Sequence, residues 1–296
     1  AFAGVGKTDK EINIGLENNI FCFNVESIPE IKIINDLSKE KGKVANVAIR
    51  INPNIDAHTH KYITTGLDEN KFGVNLDQLE SVARLASSLS NINLIGIHFH
   101  IGSQITELEP FAMLCEKINE LQDLFELWGI ALKVINVGGG LGIDYVNPDK
   151  NQIPQFSSYF NTFKELLKLR EGQEVHFELG RSIVAQCGSL ITRVTYIKEG
   201  SKKQFAIVDA GMTDLIRPAL YQAYHKIENI TSQSTKTELY DVVGPICESS
   251  DSFDTDVELP ATSRGDLLAI RSAGAYGQIM ASQYNCRALP ATLYSE

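Results

Sequence analysis

The stretch HFHIGSQ, residues 98–104, places two imidazoles and a hydroxyl close together. His98 and His100 are two residues apart, so in a strand both side chains lie on one face. Such a pair could ligate a metal, but no cluster of further ligands is evident in the sequence. An imidazole at a strand end could instead stack on a flat cofactor, with Ser103 hydrogen-bonding a phosphate or the histidine. The remaining alternative is a packed core histidine.

A carboxylate and a thiol could do acid–base chemistry. Glu178 lies in the apolar run VHFEL, residues 175–179. A buried carboxylate is costly unless it is paired, and we expect it to face either a protonated ring nitrogen of a ligand or an arginine such as Arg50. Cys247 stands beside Glu248 in GPICESSD, residues 244–251. It is either a catalytic acid or an inert thiol.

The run VGGGLG, residues 137–142, could bind an anion. Consecutive glycines let backbone N–H groups approach a phosphate closely, although a tight turn needs glycine as well. The spacing does not match the dinucleotide or P-loop patterns. Arg181, just after the next predicted strand, would add a bidentate donor for a phosphate. Its alternative is an ordinary ion pair.

Composition narrows the class of protein that must position these groups. The chain has 296 residues and a net charge of −10, which argues against nucleic-acid or anionic-membrane partners. We find no apolar run near the roughly 20 residues of a membrane-spanning helix. The five cysteines form no C-x-x-C pair; free thiols favour a reducing, cytoplasmic location. No signal peptide is visible.

The first 182 residues alternate short apolar strands with amphipathic helices, which predicts a parallel α/β sheet or barrel. A doubly wound open sheet is the alternative. The helix near Thr8 begins with a capping box to Glu11. We count six strand–helix units, with strands at residues 2–3, 20–25, 44–51, 94–100, 133–137 and 175–179.

Residues 183–296 read as a second, mostly β domain. Strands are predicted at residues 183–200, 203–209, 238–243, 266–272 and 288–294. Residues 249–266 are rich in Ser, Asp, Pro and Gly and are predicted to be a loop.

Together, these stretches resemble a known family. The motifs are FAGVGKTDKEI, CFNVES, RINPNIDAHTHKYITTGLDENKFG, HFHIGSQ, NVGGGLGIDY, ELGR, VDAGMTDLIRPALY, GPICESSD and GAYG. In this order, they are similar to those of the diaminopimelate decarboxylases, which are fold-type III (alanine-racemase-like) pyridoxal-phosphate enzymes. The resemblance implies a pyridoxal 5′-phosphate (PLP)-binding (β/α)₈ barrel followed by a β-sandwich or barrel-like domain. It also implies decarboxylation of meso-2,6-diaminopimelate to L-lysine, the last step of lysine biosynthesis.

The resemblance also assigns roles to single residues. His100 would stack on the cofactor ring and Glu178 would keep its pyridine nitrogen protonated, while Cys247 is the candidate proton donor. The phosphate would be held by Ser103, Gly139, Gly140, Arg181 and Tyr276. The substrate would be held by Arg181, Arg217, Tyr221, Glu248 and Tyr276. The site would be shared across a homodimer, with the loop of Cys247 and Glu248 reaching into the partner.

One part of the family pattern is not found. The lysine that links PLP belongs to a Tyr-x-x-Lys-Ala-Asn-like motif, which this sequence lacks. We expect that lysine upstream of Ala1, in the first two barrel units, and expect further chain after Glu296. As given, the chain is then expected to be inactive.

Two other functions compete. A sibling enzyme would decarboxylate ornithine, arginine or carboxynorspermidine, but Glu248 after Cys247 favours diaminopimelate, since those siblings tend to carry Asp there. A non-catalytic PLP-binding relative would keep the phosphate site without the linking lysine.

Overall fold

The structure is a computed structural model, and it describes residues 1–55 and 71–295. Contacts within the chain divide it into two compact units. Unit 1 comprises Ala1–Leu141 and Gln155–Leu179, and unit 2 comprises Gly142–Pro154 and Gly180–Glu296. The domain boundary expected between residues 182 and 183 stays a prediction.

Unit 1 contains a parallel sheet whose described strands follow one another in chain order. Helices alternate with them, which confirms the predicted α/β architecture. The strands are β1 (Phe23–Val25), β2 (Ala45–Arg50), β3 (Ile92–His98), β4 (Val134–Asn136) and β5 (Glu174–His176). The helices are α1 (Asp9–Glu17), α2 (Ile28–Glu40), α3 (Leu79–Ser88), α4 (Glu109–Leu127) and α5 (Phe156–Leu166). At the strand predicted for residues 2–3, the structure has one parallel bridge, between Phe2 and Phe23.

Local sequence explains where these helices begin and which face they bury. Thr8 accepts a hydrogen bond from the backbone N–H of Glu11 at 3.3 Å, and the Glu11 side chain accepts from the N–H of Thr8 at 2.9 Å. The predicted capping box is therefore confirmed. In α3, the buried residues recur at helical spacing and pack into the core of unit 1; they are Leu79, Val82, Ala83 and Ala86.

The carboxyl ends of the parallel strands carry a row of polar side chains. Strand register pairs Arg50 with His98, His98 with Asn136, and Asn136 with His176. Because successive strands run in the same direction, these last residues meet at one edge of the sheet. This edge is where α/β proteins place their ligands.

Unit 2 is built on a mixed sheet of six described strands. The strands are β6 (Leu190–Glu199), β7 (Gln204–Val208), β8 (Ile227–Asn229), β9 (Thr237–Val243), β10 (Ser252–Pro260) and β11 (Leu267–Ile270). They lie in the order β10-β9-β7-β6-β11-β8, and all paired neighbours run antiparallel except β7 and β9. Two short helices, α6 (Arg181–Val184) and α7 (Arg217–Tyr221), belong to the same unit.

Three predictions for unit 2 are wrong, two of them for strands and one for a loop. Residues 181–187 form α6 and a 3₁₀ turn rather than the start of a strand, because a short apolar run fits either state. The loop predicted for 249–266 contains β10, which pairs only with β9 among the described strands and so forms an edge of the sheet. Edge strands accept polar side chains. Among the described residues of 288–294 there is no strand, and Leu293 is 95% exposed.

Within residues 1–55 and 71–295, no helix is both long and apolar enough to cross a membrane.

Candidate functional site

Glu178 is held at the carboxyl ends of the unit 1 strands by three neutral donors. It lies two residues after β5, not within a strand as predicted. Its Oε1 accepts hydrogen bonds from Nδ2 of Asn24 at 3.0 Å and of Asn136 at 2.9 Å. Its Oε2 lies 3.1 Å from Nε2 of His98.

The alternative prediction, an ion pair between Glu178 and Arg50, is wrong. Arg50 forms its ion pair with Glu26, with 3.3 Å between Nη1 and Oε1, and both side chains are buried. The carboxylate of Glu178 is thus left with amide and imidazole donors.

These partners keep Glu178 ionised. Its side chain is 33% exposed. This partial burial alone would raise its pKa, but hydrogen bonds from His98 and Asn136 and the nearby imidazoles lower the pKa to about 2. Burial also lowers the pKa of His98, which favours its neutral form. Its Nε2 must then carry the hydrogen that Glu178 accepts, while Nδ1 has no partner among the described residues. The result is an anion held by neutral groups, which suits a ligand with a protonated nitrogen.

His100 lies in the loop after β3 and is neutral as well. Burial, together with the positive charge of Arg50, lowers the pKa of His100 to about 4. Its Nδ1 accepts a hydrogen bond from the backbone N–H of Gly139 at 3.3 Å. A neutral, fixed imidazole presents a flat ring on which a cofactor can stack.

The glycine run is fixed between the loops that follow β3 and β5. Gly138 and Gly140 have φ values of +72° and +110°, and a Cβ on Gly138 would lie 2.1 Å from the carbonyl oxygen of Phe99. A Cβ on Gly139 would lie 2.3 Å from the carbonyl oxygen of Glu178. Close packing therefore requires these glycines whether or not they hold a phosphate, so their phosphate role stays a prediction.

Arg181 and Arg217 converge on one phenol in unit 2. Nη1 of Arg181 donates to the hydroxyl oxygen of Tyr145 at 2.8 Å, and Nη1 of Arg217 donates to the same oxygen at 3.0 Å. Both arginines are 6% exposed. The guanidinium of Arg181 also lies over the ring of Tyr276, 5.0 Å from its centroid. Two buried cations on one neutral oxygen favour binding of an anion.

The loop of Cys247 and Glu248 is exposed but anchored. The buried carboxylate of Asp251 accepts backbone N–H bonds from Met212 and Ile246, each at 2.6 Å. Burial raises the pKa of Asp251 despite these bonds. The hydroxyl of Tyr284 donates to Oε1 of Glu248.

Two other predicted site residues lie in a loop and at a helix end. Ser103 is half-buried in the loop after β3, and Tyr221 is half-buried at the end of α7. Residues 56–70 of the RINP motif lie outside the described residues. Within the described ranges, no group of three or more His, Cys, Asp or Glu is arranged to hold a metal.

The groups that hold the predicted site residues were not predicted from the sequence. Asn24 and Asn136 could have been noticed, because each is a polar residue inside an apolar strand. Asp251 and Tyr145 had no such signal, since both follow polar or loop-like sequence.

Comparisons with known proteins agree with these features. A family profile described as "Pyridoxal-dependent decarboxylase, pyridoxal binding domain" matches residues 1–185. The diaminopimelate decarboxylase of Bacteroides thetaiotaomicron is 62% identical over 289 residues, which cover 98% of this chain and 75% of that protein. This chain belongs to the diaminopimelate decarboxylase family. The expected PLP dependence is thereby confirmed at the level of the family.

Solved structures of the family have the same fold. The diaminopimelate decarboxylase of Helicobacter pylori, complexed with L-lysine, aligns with a TM-score of 0.89 and 44% identity. The alignment covers 95% of this chain and 70% of that one. The enzyme from M. jannaschii in complex with L-lysine aligns with a TM-score of 0.86 and 40% identity, over 96% of this chain and 66% of that one.

The described residues fit a PLP cofactor. Glu178 is ionised and has no permanently charged partner within residues 1–55 and 71–295, as required opposite a protonated pyridine nitrogen. His100 is neutral and flat, and Nδ1 of the buried His98 beside Glu178 has no partner among the described residues. Arg181 and Tyr276 supply a cation and a hydroxyl of the kind that bind phosphate.

Proposed function

We propose that this protein decarboxylates meso-2,6-diaminopimelate to L-lysine with PLP as its cofactor. Its relatives carry that enzyme name, and two similar solved structures hold L-lysine. Bound PLP supplies an electron sink that accepts the electron pair left when CO₂ departs from the amino acid.

The main observation behind this proposal is the ionised carboxylate of Glu178. A carboxylate with a pKa of about 2 is ionised throughout the neutral range, so it can hold a proton on an adjacent pyridine nitrogen. Asn24, Asn136 and His98 keep its two oxygens in place, which avoids reorganisation during the reaction.

The remaining cofactor contacts are assigned by residue type. His100 stacks on the ring as a neutral imidazole. Ser103, Gly139, Gly140, Arg181 and Tyr276 hold the phosphate through hydroxyl, backbone and guanidinium donors. The N–H of Gly139 already donates to His100. Gly139 therefore contributes to the phosphate site by letting the backbone approach closely, not by offering a free donor.

The substrate needs contacts for both of its amino-acid ends. Arg181 and Arg217 bind carboxylates, while Glu248 binds the distal ammonium group and Tyr221 and Tyr276 add hydroxyl contacts. Cys247 donates the proton to the carbon that loses CO₂.

The proposed function includes a homodimer. Cys247 and Glu248 are exposed on this chain, which agrees with a homodimer whose partner completes the site. Sedimentation equilibrium at micromolar concentration is expected to give twice the protomer mass.

The proposed location is the cytoplasm. All five cysteines are free, which supports a cytoplasmic location.

A substrate panel tests the activity directly. The natural protein containing this sequence, supplied with PLP, is expected to release CO₂ and L-lysine from meso-diaminopimelate. Ornithine, arginine and carboxynorspermidine are expected to react far more slowly. Turnover of one of these without turnover of diaminopimelate would identify a sibling enzyme instead. PLP binding without any decarboxylation would identify a non-catalytic relative.

A further inference from the structure

A buried cluster in unit 2 fixes one side of the Arg217 guanidinium. Nη1 of Arg217 donates to the hydroxyl oxygen of Tyr145 at 3.0 Å and to Nε2 of His225 at 2.8 Å. The rings of Tyr145 and His225 pack edge to face, with centroids 5.0 Å apart. Arg217 is 6% exposed and His225 is 1% exposed.

The hydrogen positions in this cluster follow from its partners. Nδ1 of His225 lies 2.9 Å from the carbonyl oxygen of Arg271. A carbonyl oxygen only accepts, so Nδ1 carries the hydrogen and Nε2 is free to accept from Arg217. Burial lowers the pKa of His225 to about 4, and the charge of Arg217 acts in the same direction. The imidazole is therefore a neutral acceptor.

Both hydrogens of Nη1 are thus used within the protein. Among the described residues, no acceptor is bonded to Nε or Nη2 of Arg217, and no carboxylate forms an ion pair with it. Nε and Nη2 together form the guanidinium edge that holds a carboxylate with two parallel hydrogen bonds. A buried cation whose Nε–Nη2 edge has no acceptor among the described residues is suited to bind an anionic ligand.

We propose that Tyr145 and His225 are positioning residues, which orient Arg217 so that its Nε–Nη2 edge receives the substrate carboxylate that is not lost. This inference rests on the proposed function, because L-lysine keeps that carboxylate. Neither residue touches the substrate; each acts by holding Nη1.

His225 provides the cleaner test because it contacts Arg217 but not Arg181 through its side chain. His225→Leu removes the acceptor, whereas His225→Gln keeps an oxygen for Nη1 and an amide hydrogen for the carbonyl of Arg271. Binding to the holoenzyme is measured by calorimetry with two probes, L-lysine and cadaverine. Cadaverine has both amino groups of L-lysine but no carboxylate.

We expect His225→Leu to weaken L-lysine binding by about tenfold or more and to leave cadaverine binding unchanged. His225→Gln should restore most of the L-lysine affinity. For diaminopimelate, KM should rise by a similar factor while kcat changes little, since the interaction is the same before and during the reaction. Tyr145→Phe is a second variant that should also weaken L-lysine binding, but Tyr145 accepts from Arg181 too, so cadaverine binding is not used as its readout.

The matched control is Tyr224→Phe, which removes a phenol from an exposed residue next to His225. It should leave both affinities unchanged. Equal weakening of L-lysine and cadaverine binding, with no rescue by Gln, would mean a purely structural role and would overturn the inference. Unchanged L-lysine affinity in both His225→Leu and Tyr145→Phe would overturn it as well. If the unmodified holoenzyme bound no L-lysine, the proposed function itself would fail.

Discussion

At the scale of single residues, the site depends on neutral groups that hold a charged one. Glu178 is ionised because Asn24, Asn136 and His98 donate to it, although burial opposes its charge. From the sequence, Glu178 could be identified as a carboxylate in an apolar run. Its partners could not, because they come from residues up to 154 positions away and are brought together only by strand register.

Substitution of His98 tests this arrangement. In His98→Leu, Oε2 of Glu178 loses its imidazole donor, so the pKa of Glu178 rises from about 2 toward its ordinary value. Less of the carboxylate is then ionised in mild acid. We expect the acid limb of the kcat–pH profile to move to higher pH, measured as CO₂ release from pH 4 to 8.

His98→Gln is the matched control, because its amide can still donate to Glu178. Its acid limb should remain close to that of the unmodified enzyme. Identical profiles for His98→Leu and the unmodified enzyme would contradict a role of His98 in the ionisation of Glu178.

At the scale of elements, sequence periodicity identified most of unit 1. The capping box at Thr8, the helices and the parallel strands follow from local patterns. Unit 2 was harder, because β10 carries five polar residues among nine, Ser252, Asp254, Thr255, Asp256 and Glu258, and resembles a loop. Only its pairing with β9 makes it a strand, and such pairing is not a local property.

The glycine loop gives a prediction at this scale. In Gly139→Ala, the new Cβ would lie 2.3 Å from the carbonyl oxygen of Glu178, so the backbone of one loop must move. We expect a loss of about 1–3 kcal/mol in the free energy of unfolding, as for other overpacked sites, and weaker PLP binding. Urea denaturation and cofactor titration measure the two effects.

Gly6→Ala is the control, since a Cβ at Gly6 meets nothing within 4 Å. It should change neither quantity by a comparable amount. A Gly139→Ala protein with unchanged stability and PLP affinity would show that the loops do not need this close approach.

At the scale of the whole molecule, buried neutral histidines link stability to pH. Burial lowers the pKa of His100 and of His225 to about 4, and it lowers that of His98 as well. Above pH 6.5, these imidazoles are neutral in both folded and unfolded chains, and their contribution to stability is complete. As the pH falls from 6.5 toward 4, the unfolded chain binds protons that the folded chain does not.

We therefore expect the free energy of unfolding to fall between pH 7 and pH 5, by about 1–2 kcal/mol each for His100 and His225, with a further loss from His98. Urea denaturation at the two pH values measures this difference. His225→Gln should reduce the pH dependence. A stability that is constant over this range would contradict burial of neutral imidazoles.

The protonation state of the cofactor tests the central claim most directly. The holoenzyme is prepared with PLP labelled with ¹⁵N in the pyridine ring, and its ¹⁵N chemical shift is measured at pH 7.5. We predict the shift of a protonated nitrogen in the unmodified enzyme and in Glu174→Gln, a control at an exposed carboxylate on β5. Glu178→Gln should give the shift of a neutral pyridine. A neutral nitrogen in the unmodified enzyme, or a protonated one in Glu178→Gln, would contradict the role assigned to Glu178.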